Sequence, residues 1–362
     1  MRLLTYGRAL CEGLTQTMDA DATVFLIGQG VNSPWYVGNT TEGVYDRFGP
    51  QRVIDTPVSE NGVTGLAIGA SMAGMKPVVI HPRMDFMLLA AEQLIGQAAN
   101  WNYMFDGQVN VPVTIRSIVN RGGEQAAQHS QALQAMYAHI PGLKVVMPAT
   151  PRDAKGLLIA AIHDPNPVVF IDDRWLYGVE GEVPERYFAE EIGRAKVLRR
   201  GTDVSVVATS YLVQESLAAA ERLAEAGVSV EVVDLRTVRP LDEETVLESL
   251  ARTHRLVVAD TGWSMCGISA EVAALAACRG MYDLWAPVER VTLPCCPAPM
   301  CQPHETAYYP RASQVVAAVY RVLGANAVSY SRLAAGIGTS IPFSYPPVSA
   351  DGSRLEAAES TR

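Results

Sequence analysis

Short apolar runs without alternation are the feature that most limits what this chain can fold into. They are Thr23-Val-Phe-Leu-Ile27 (ending at Gly28), Pro77-Val-Val-Ile-His81, Val111-Pro-Val-Thr-Ile115, Lys144-Val-Val-Met-Pro148 and Pro167-Val-Val-Phe-Ile171. A strand that is apolar on both faces needs cover on both, which a mostly parallel sheet flanked by helices provides. Helical stretches lie between the runs, one from about Phe86 to Trp101. A Pro- and charge-rich stretch, Gly178 to Gly193, reads as a linker, and the pattern then restarts. Asp203–Ala208, Val228–Val233 and Arg255–Asp260 read as strands, and Leu212–Gly227, Glu243–Arg252 and Arg311–Leu323 as helices. The spacing predicts an α/β chain of two doubly wound domains, over residues 1–185 and 186–324. Residues 325–362 are Ser/Ala/Pro-rich and read as a tail, either flexible or docking on a partner chain through Ile341-Pro-Phe-Ser-Tyr-Pro-Pro347.

Composition narrows the function classes. The 362 residues are 49% hydrophobic and 19% charged, which suits a globular protein with a sizeable core. A net charge of −9 without a basic patch argues against a nucleic-acid partner and favours small molecules and proteins. No apolar stretch is long enough to cross a membrane, and the first residues carry no secretory signal pattern. The six cysteines (Cys11, Cys266, Cys278, Cys295, Cys296, Cys301) are scattered, so reduced thiols and a cytoplasmic location are expected. The small residues from Gly62 to Gly74 are read as a helix against which another backbone packs closely.

The stretch from Tyr45 to Gly62, with Asp55-Thr-Pro-Val-Ser-Glu60 at its centre, resembles the β subunits of pyruvate, branched-chain 2-oxo acid and acetoin dehydrogenase decarboxylase components. Gln128-His-Ser-Gln131, Pro141-Gly-Leu-Lys-Val-Val146, Asp153-Ala-Lys-Gly156, Asp234-Leu-Arg-Thr-Val-Arg-Pro-Leu241 and Gly262-Trp263 extend the likeness over residues 3–324. The resemblance implies a thiamine-diphosphate pyrimidine-binding domain followed by a transketolase-type C-terminal domain.

The same resemblance implies roles for individual residues. Glu60 would hydrogen-bond N1′ of the aminopyrimidine and so favour the tautomer that takes the thiazolium C2 proton. His129 would move protons near the thiazolium, with Ser130 as an orienting donor. Phe86 would pack on the aminopyrimidine ring. The backbone around Val113, Ala161, Ile162, Asp164 and Asn166 matches a potassium site of the family, although Asp164-Pro-Asn166 reads equally as a simple turn.

Departures matter as much. Where the family usually has Glu-(Ile/Phe)-(Gln/Met)-Phe, this chain has Ile80-His-Pro-Arg-Met-Asp85. Pro82 takes the cofactor-facing position, and His81 and Arg83 add charge-capable groups; Arg83 would pair with a substrate carboxylate or with a nearby acid. The segment Cys295-Cys-Pro-Ala-Pro-Met-Cys301-Gln-Pro-His304 mimics a metal cluster but lacks the paired knuckles of zinc sites, and it aligns with a proline-rich loop of the family. Asp260-Thr-Gly-Trp263 stands where Glu-Glu-Gly-Trp is usual. No Gly-Asp-Gly followed by Asn-Asn, the element that holds magnesium and diphosphate, occurs in the sequence. An α subunit would supply that half, in an α2β2 assembly. The expected activity is decarboxylation of a 2-oxo acid, or cleavage of a related ketone, with the acyl group passed to a lipoyl carrier on an acyltransferase. The alternatives are a split acyloin-forming or ketol-transferring synthase, and a non-catalytic scaffold for the α partner.

Overall fold

Residues 2–33 and 37–324 are described by a computed structural model; the tail 325–362, with Ile341–Pro347, lies outside them. In chain order the strands are β1 (Arg2–Thr5), β2 (Val24–Gly28), β3 (Val53–Asp55), β4 (Lys76–His81), β5 (Thr114–Val119), β6 (Lys144–Val146) and β7 (Val168–Asp173). They continue as β8 (Glu180–Val183), β9 (Lys196–Arg199), β10 (Val204–Ala208), β11 (Val230–Asp234), β12 (Thr237–Arg239), β13 (Leu256–Trp263) and β14 (Glu289–Leu293).

The first sheet runs β12-β6-β7-β5-β4-β2-β3. Its strands are parallel except β12, which pairs antiparallel with β6. Val24 and Leu26 of β2 enter one core while Phe25 and Ile27 enter the other, so both faces are covered, as an unalternating run requires. The second sheet runs β14-β13-β10-β11-β9, parallel except for the edge strand β9. Both cores take residues from both sheets, Val206 and Val257 joining the first and Val207 and Val258 the second.

Strand order places the ligand-binding crevice. From β2 the chain goes to β3 on one side and then to β4 on the other. At such a reversal the connections leave in opposite directions, and a crevice opens beyond the carboxyl ends of the strands. Gly28 and His81 end β2 and β4 there.

Several local expectations need correction. The third strand starts at Thr114 and not at Val111. Pro112 has no amide to donate, and the Val113 amide turns back to the Val111 carbonyl at 2.8 Å, so the ladder begins one residue later. The helical stretch 86–101 is four pieces: a short α-helix Met84–Met87, a 3-10 turn Leu88–Ala90, a π-helix Glu92–Ala98 and an α-helix Ala99–Met104.

The stretch 178–193 is not a bare linker. It contains β8, paired antiparallel with β1. It is also pinned by the buried Lys155, whose ammonium donates to Glu12 (2.6 Å) and to the carbonyls of Pro184, Glu185 and Arg186 (2.9, 3.3 and 3.1 Å). A long side chain that buries its stem and satisfies its head with fixed oxygens staples an otherwise polar segment. The small-residue helix is Glu60–Met72, and it lies beside the helical segment 88–98. A Cβ on Gly69 would meet open space, and Gly65 faces the Gln93 side chain.

Candidate functional site

The Asp55–Glu60 motif is built against the end of β2. The Asp55 carboxylate accepts from the Val31 amide at 3.1 Å, and the Thr56 amide donates to the Gly28 carbonyl at 3.1 Å. These bonds turn the chain so that Glu60 becomes the first residue of the Glu60–Met72 helix. Gly28 has φ 155°, and a Cβ there would lie 2.5 Å from the Ile80 carbonyl oxygen, so only glycine permits this approach of β2 to β4.

Glu60 borders a narrow slot at the strand reversal, lined by Gly28, Gln29, Thr56, Pro57, Ser59, Val63, Val79, Ile80, His81 and Pro82. The walls are mainly apolar, with one carboxylate at the edge. A hydrogen-bonding nitrogen of a ligand could meet that carboxylate at the mouth of the slot. Pro82 is therefore beside Glu60, and its carbonyl accepts from Asn120 Nδ2 at 3.0 Å and from Arg83 Nη1 at 2.9 Å.

His81 sits at the base of this slot. Its Nε2 lies 3.2 Å from the Thr64 hydroxyl, one helical turn along from Glu60. Burial pushes its imidazole down to about 4, because a charged ring would lose its hydration. It is thus a neutral hydrogen-bonding group at physiological pH. Arg83 also reaches the Gln125 side chain at 3.4 Å.

The 80–86 segment links Glu60 to His129. Phe86, at its end, meets the His129 ring edge-on at 5.4 Å between centroids. Asp85 is buried, and its Oδ1 accepts from the Gln131 amide at 3.2 Å. Burial raises its carboxyl, and the Gln131 amide opposes that rise. The loop bearing His129 is sharply turned, with Gly122, Gly123, Glu124 and Ala126 all at φ between 58° and 72°. Ser130 is buried. Just before the loop, Arg121 pairs with Asp173 at 2.6 Å and lies over the rings of Tyr211 and Tyr309.

The suggested cation residues cluster around the turn after the Pro151–His163 helix. Asp164 Oδ1 accepts from the Asn166 amide at 2.9 Å, closing a turn, and its Oδ2 accepts from Lys144 Nζ. The Ala161 carbonyl accepts from the Asp164 amide at 3.3 Å, and the Val113 carbonyl from the Val168 amide at 3.0 Å. Val113, Ala161 and Ile162 are buried, and Asn166 Oδ1 is buried without a protein partner.

Elsewhere, all six cysteines are free, and among the described residues no group of three or more His, Cys, Asp and Glu side chains is arranged to hold a metal ion. The Cys295–His304 segment instead leads to Glu305, whose Oε2 accepts from the Glu124 amide at 3.2 Å. Thr64, Asp85 and Glu305 were not singled out by the sequence. Asp85, between Arg83 and Phe86, had a sequence cue, and so did Glu305, in the pair His304-Glu305 that follows the proline-rich loop where the family has Leu-Glu.

Comparison with known proteins agrees with this geometry. Residues 3–179 match the transketolase pyrimidine-binding domain, and residues 193–315 the transketolase C-terminal domain. The chain is 42% identical over 332 residues to the acetoin:2,6-dichlorophenolindophenol oxidoreductase subunit beta of Cupriavidus necator, covering 89% of this chain and 98% of that one. It is 40% identical over 319 residues to the pyruvate dehydrogenase E1 component subunit beta of Rickettsia conorii, covering 88% and 98%. Among solved structures, a split-gene transketolase described as an inactive beta4 tetramer superposes with a TM-score of 0.73 at 23% identity, over 89% of this chain and 98% of that one, which shows a shared fold. Crevice, motif and relatives together show that the chain belongs to the thiamine-diphosphate-dependent family of β subunits of 2-oxo acid dehydrogenase decarboxylases, of the pyruvate and acetoin dehydrogenase type.

Proposed function

We propose that this chain supplies the aminopyrimidine half of a thiamine-diphosphate site and that Glu60 is its coenzyme-activating acid. The observation that carries this reading is Glu60 at the edge of an apolar slot on the strand reversal, flanked by Pro82. The coenzyme, when bound, supplies the electron sink for cleavage next to a carbonyl. The chain's own residues do the rest. Glu60 holds a proton against N1′, the slot excludes water from it, and Phe86 and Pro82 flank the ring. His129, fixed edge-on against Phe86, gives or takes a proton where the substrate carbonyl stands.

An α subunit completes the site in an α2β2 assembly and holds magnesium and the diphosphate. The acceptor is a lipoyl group on an acyltransferase. The substrate is a 2-oxo acid or, by likeness to the acetoin relative, a neutral ketone. Arg83 donates to two neutral acceptors, the Pro82 carbonyl and the Gln125 side chain, so a substrate carboxylate remains within its chemistry. Potassium fits the turn at Asp164–Asn166. Asn166 Oδ1 is a neutral oxygen without a protein partner, and the carbonyls of Val113, Ala161 and Ile162 would complete the ligand set, whereas the Asp164 carboxylate is taken by Lys144.

The test is co-expression with the α subunit encoded beside it, addition of thiamine diphosphate and magnesium, and a screen of pyruvate, branched 2-oxo acids and acetoin with a dye acceptor. Dye reduction with one of them, lost in His129→Ala, supports the reading. Full turnover in His129→Ala removes that residue from the chemistry. Ketol transfer without dye reduction favours the synthase, and assembly without turnover on any of them favours the scaffold.

A further inference from the structure

The Cys295–His304 segment mimics a metal cluster, yet its three cysteines are free and exposed. Its backbone is held firmly. The Cys296 carbonyl accepts from the Tyr308 hydroxyl at 2.8 Å and from Trp263 Nε1 at 3.1 Å. These bonds lead the chain into the short helix Gln302–Tyr308, which carries Glu305 inward. Glu305 is 3% exposed, an unusual position for a carboxylate, and such groups are retained where they are hydrogen-bonded.

Its Oε2 accepts from the backbone amide of Glu124, in the loop that carries His129, and its Oε1 is buried without a partner among the described residues. Glu124 has φ 61°, a left-handed conformation that a side chain other than glycine adopts only when its surroundings enforce it. A carboxylate that accepts from that amide is such an enforcement. Tyr309, in contact with Arg121 at the start of the same loop, adds a second support from the same segment.

We propose that Glu305 is a positioning residue: it holds the left-handed turn at Glu124 and thereby sets the loop that presents His129. The proline- and cysteine-rich segment is the brace that delivers it, from a part of the chain some 180 residues away. The proposal rests on the role assigned to His129. Its test therefore includes a readout that does not depend on turnover.

Full-length chain carrying Glu305→Ala or Glu305→Gln is compared with wild type by hydrogen exchange, and by turnover after assembly with the α subunit. In Glu305→Ala the loop 121–131 exchanges about tenfold faster or more at the Glu124 amide, with the helices unchanged. Its kcat falls about tenfold or more while KM stays within about twofold, as expected for a displaced proton-transfer group. Glu305→Gln keeps a carbonyl oxygen for the amide and restores both. Unchanged loop exchange in Glu305→Ala, or equal damage by Gln and Ala, overturns the proposal. Should the Ala variant not fold, Glu305→Asp, one methylene short of the amide, replaces it with the same expectations. Faster loop exchange combined with full turnover in His129→Ala upholds the brace and overturns the assignment of His129.

Discussion

The Thr64 hydroxyl and His81 Nε2 lie 3.2 Å apart and join the first turns of the Glu60 helix to the carboxyl end of β4. Both residues are buried, so the bond works without competition from water. It couples the helix that carries Glu60 to the strand that leads into Pro82 and Phe86, and makes His81 part of the frame of the slot.

Burial of His81 makes stability depend on pH in a defined direction. Burial lowers the folded His81 to about 4, below its unfolded value, so protonation favours the unfolded chain. The stabilisation is complete above about 6.5 and is lost as pH falls toward about 4, with an upper bound on the order of 3 kcal/mol. Urea melts between these values should flatten in His81→Phe relative to wild type. An identical slope in both would show that another group titrates there.

Asp234 has the opposite sign. Burial, with the neighbouring Asp153 carboxylate, raises it to about 8, and its Oδ2 has no protein partner. Its folded value exceeds its unfolded one, so stability is greatest at low pH and is lost as pH rises from about 4 to about 8. Asp234→Asn should gain about 1 kcal/mol or more above pH 8 and little below pH 5, measured by thermal melting. A loss at pH 9 would contradict this.

Lys155→Met should cost on the order of 3 kcal/mol in chemical denaturation, because Glu12 and three backbone carbonyls lose a buried donor. Proteolysis should then begin within 178–193. Wild-type resistance in that stretch would show that β8 alone holds it.

Periodicity and composition reach the two-sheet α/β plan, because continuous apolar runs leave little choice of sheet. They do not reach β12. Thr237-Val-Arg239 is too short to register as a strand, and its partner β6 lies before the presumed linker. Nor do they show that 178–193 is pinned, since the ammonium responsible belongs to a helix some thirty residues earlier. The Glu60 motif and His129 were legible as a local pattern. Their link through Pro82, Asp85 and Phe86 was not, because a hydrogen bond from the Gln131 amide to Asp85 depends on strand order. Composition marks 62–74 as a helix made for close packing but does not tell Gly65, which meets the Gln93 side chain, from Gly69, which faces open space.

Glu60→Gln in the assembled complex tests the central claim most directly. The amide nearly preserves shape but cannot hold the proton against N1′, so binding of thiamine diphosphate should persist within about tenfold while turnover falls by about a thousandfold or more. Assembly with the α subunit should be unaffected. Wild-type turnover in Glu60→Gln, with coenzyme bound, would contradict the account.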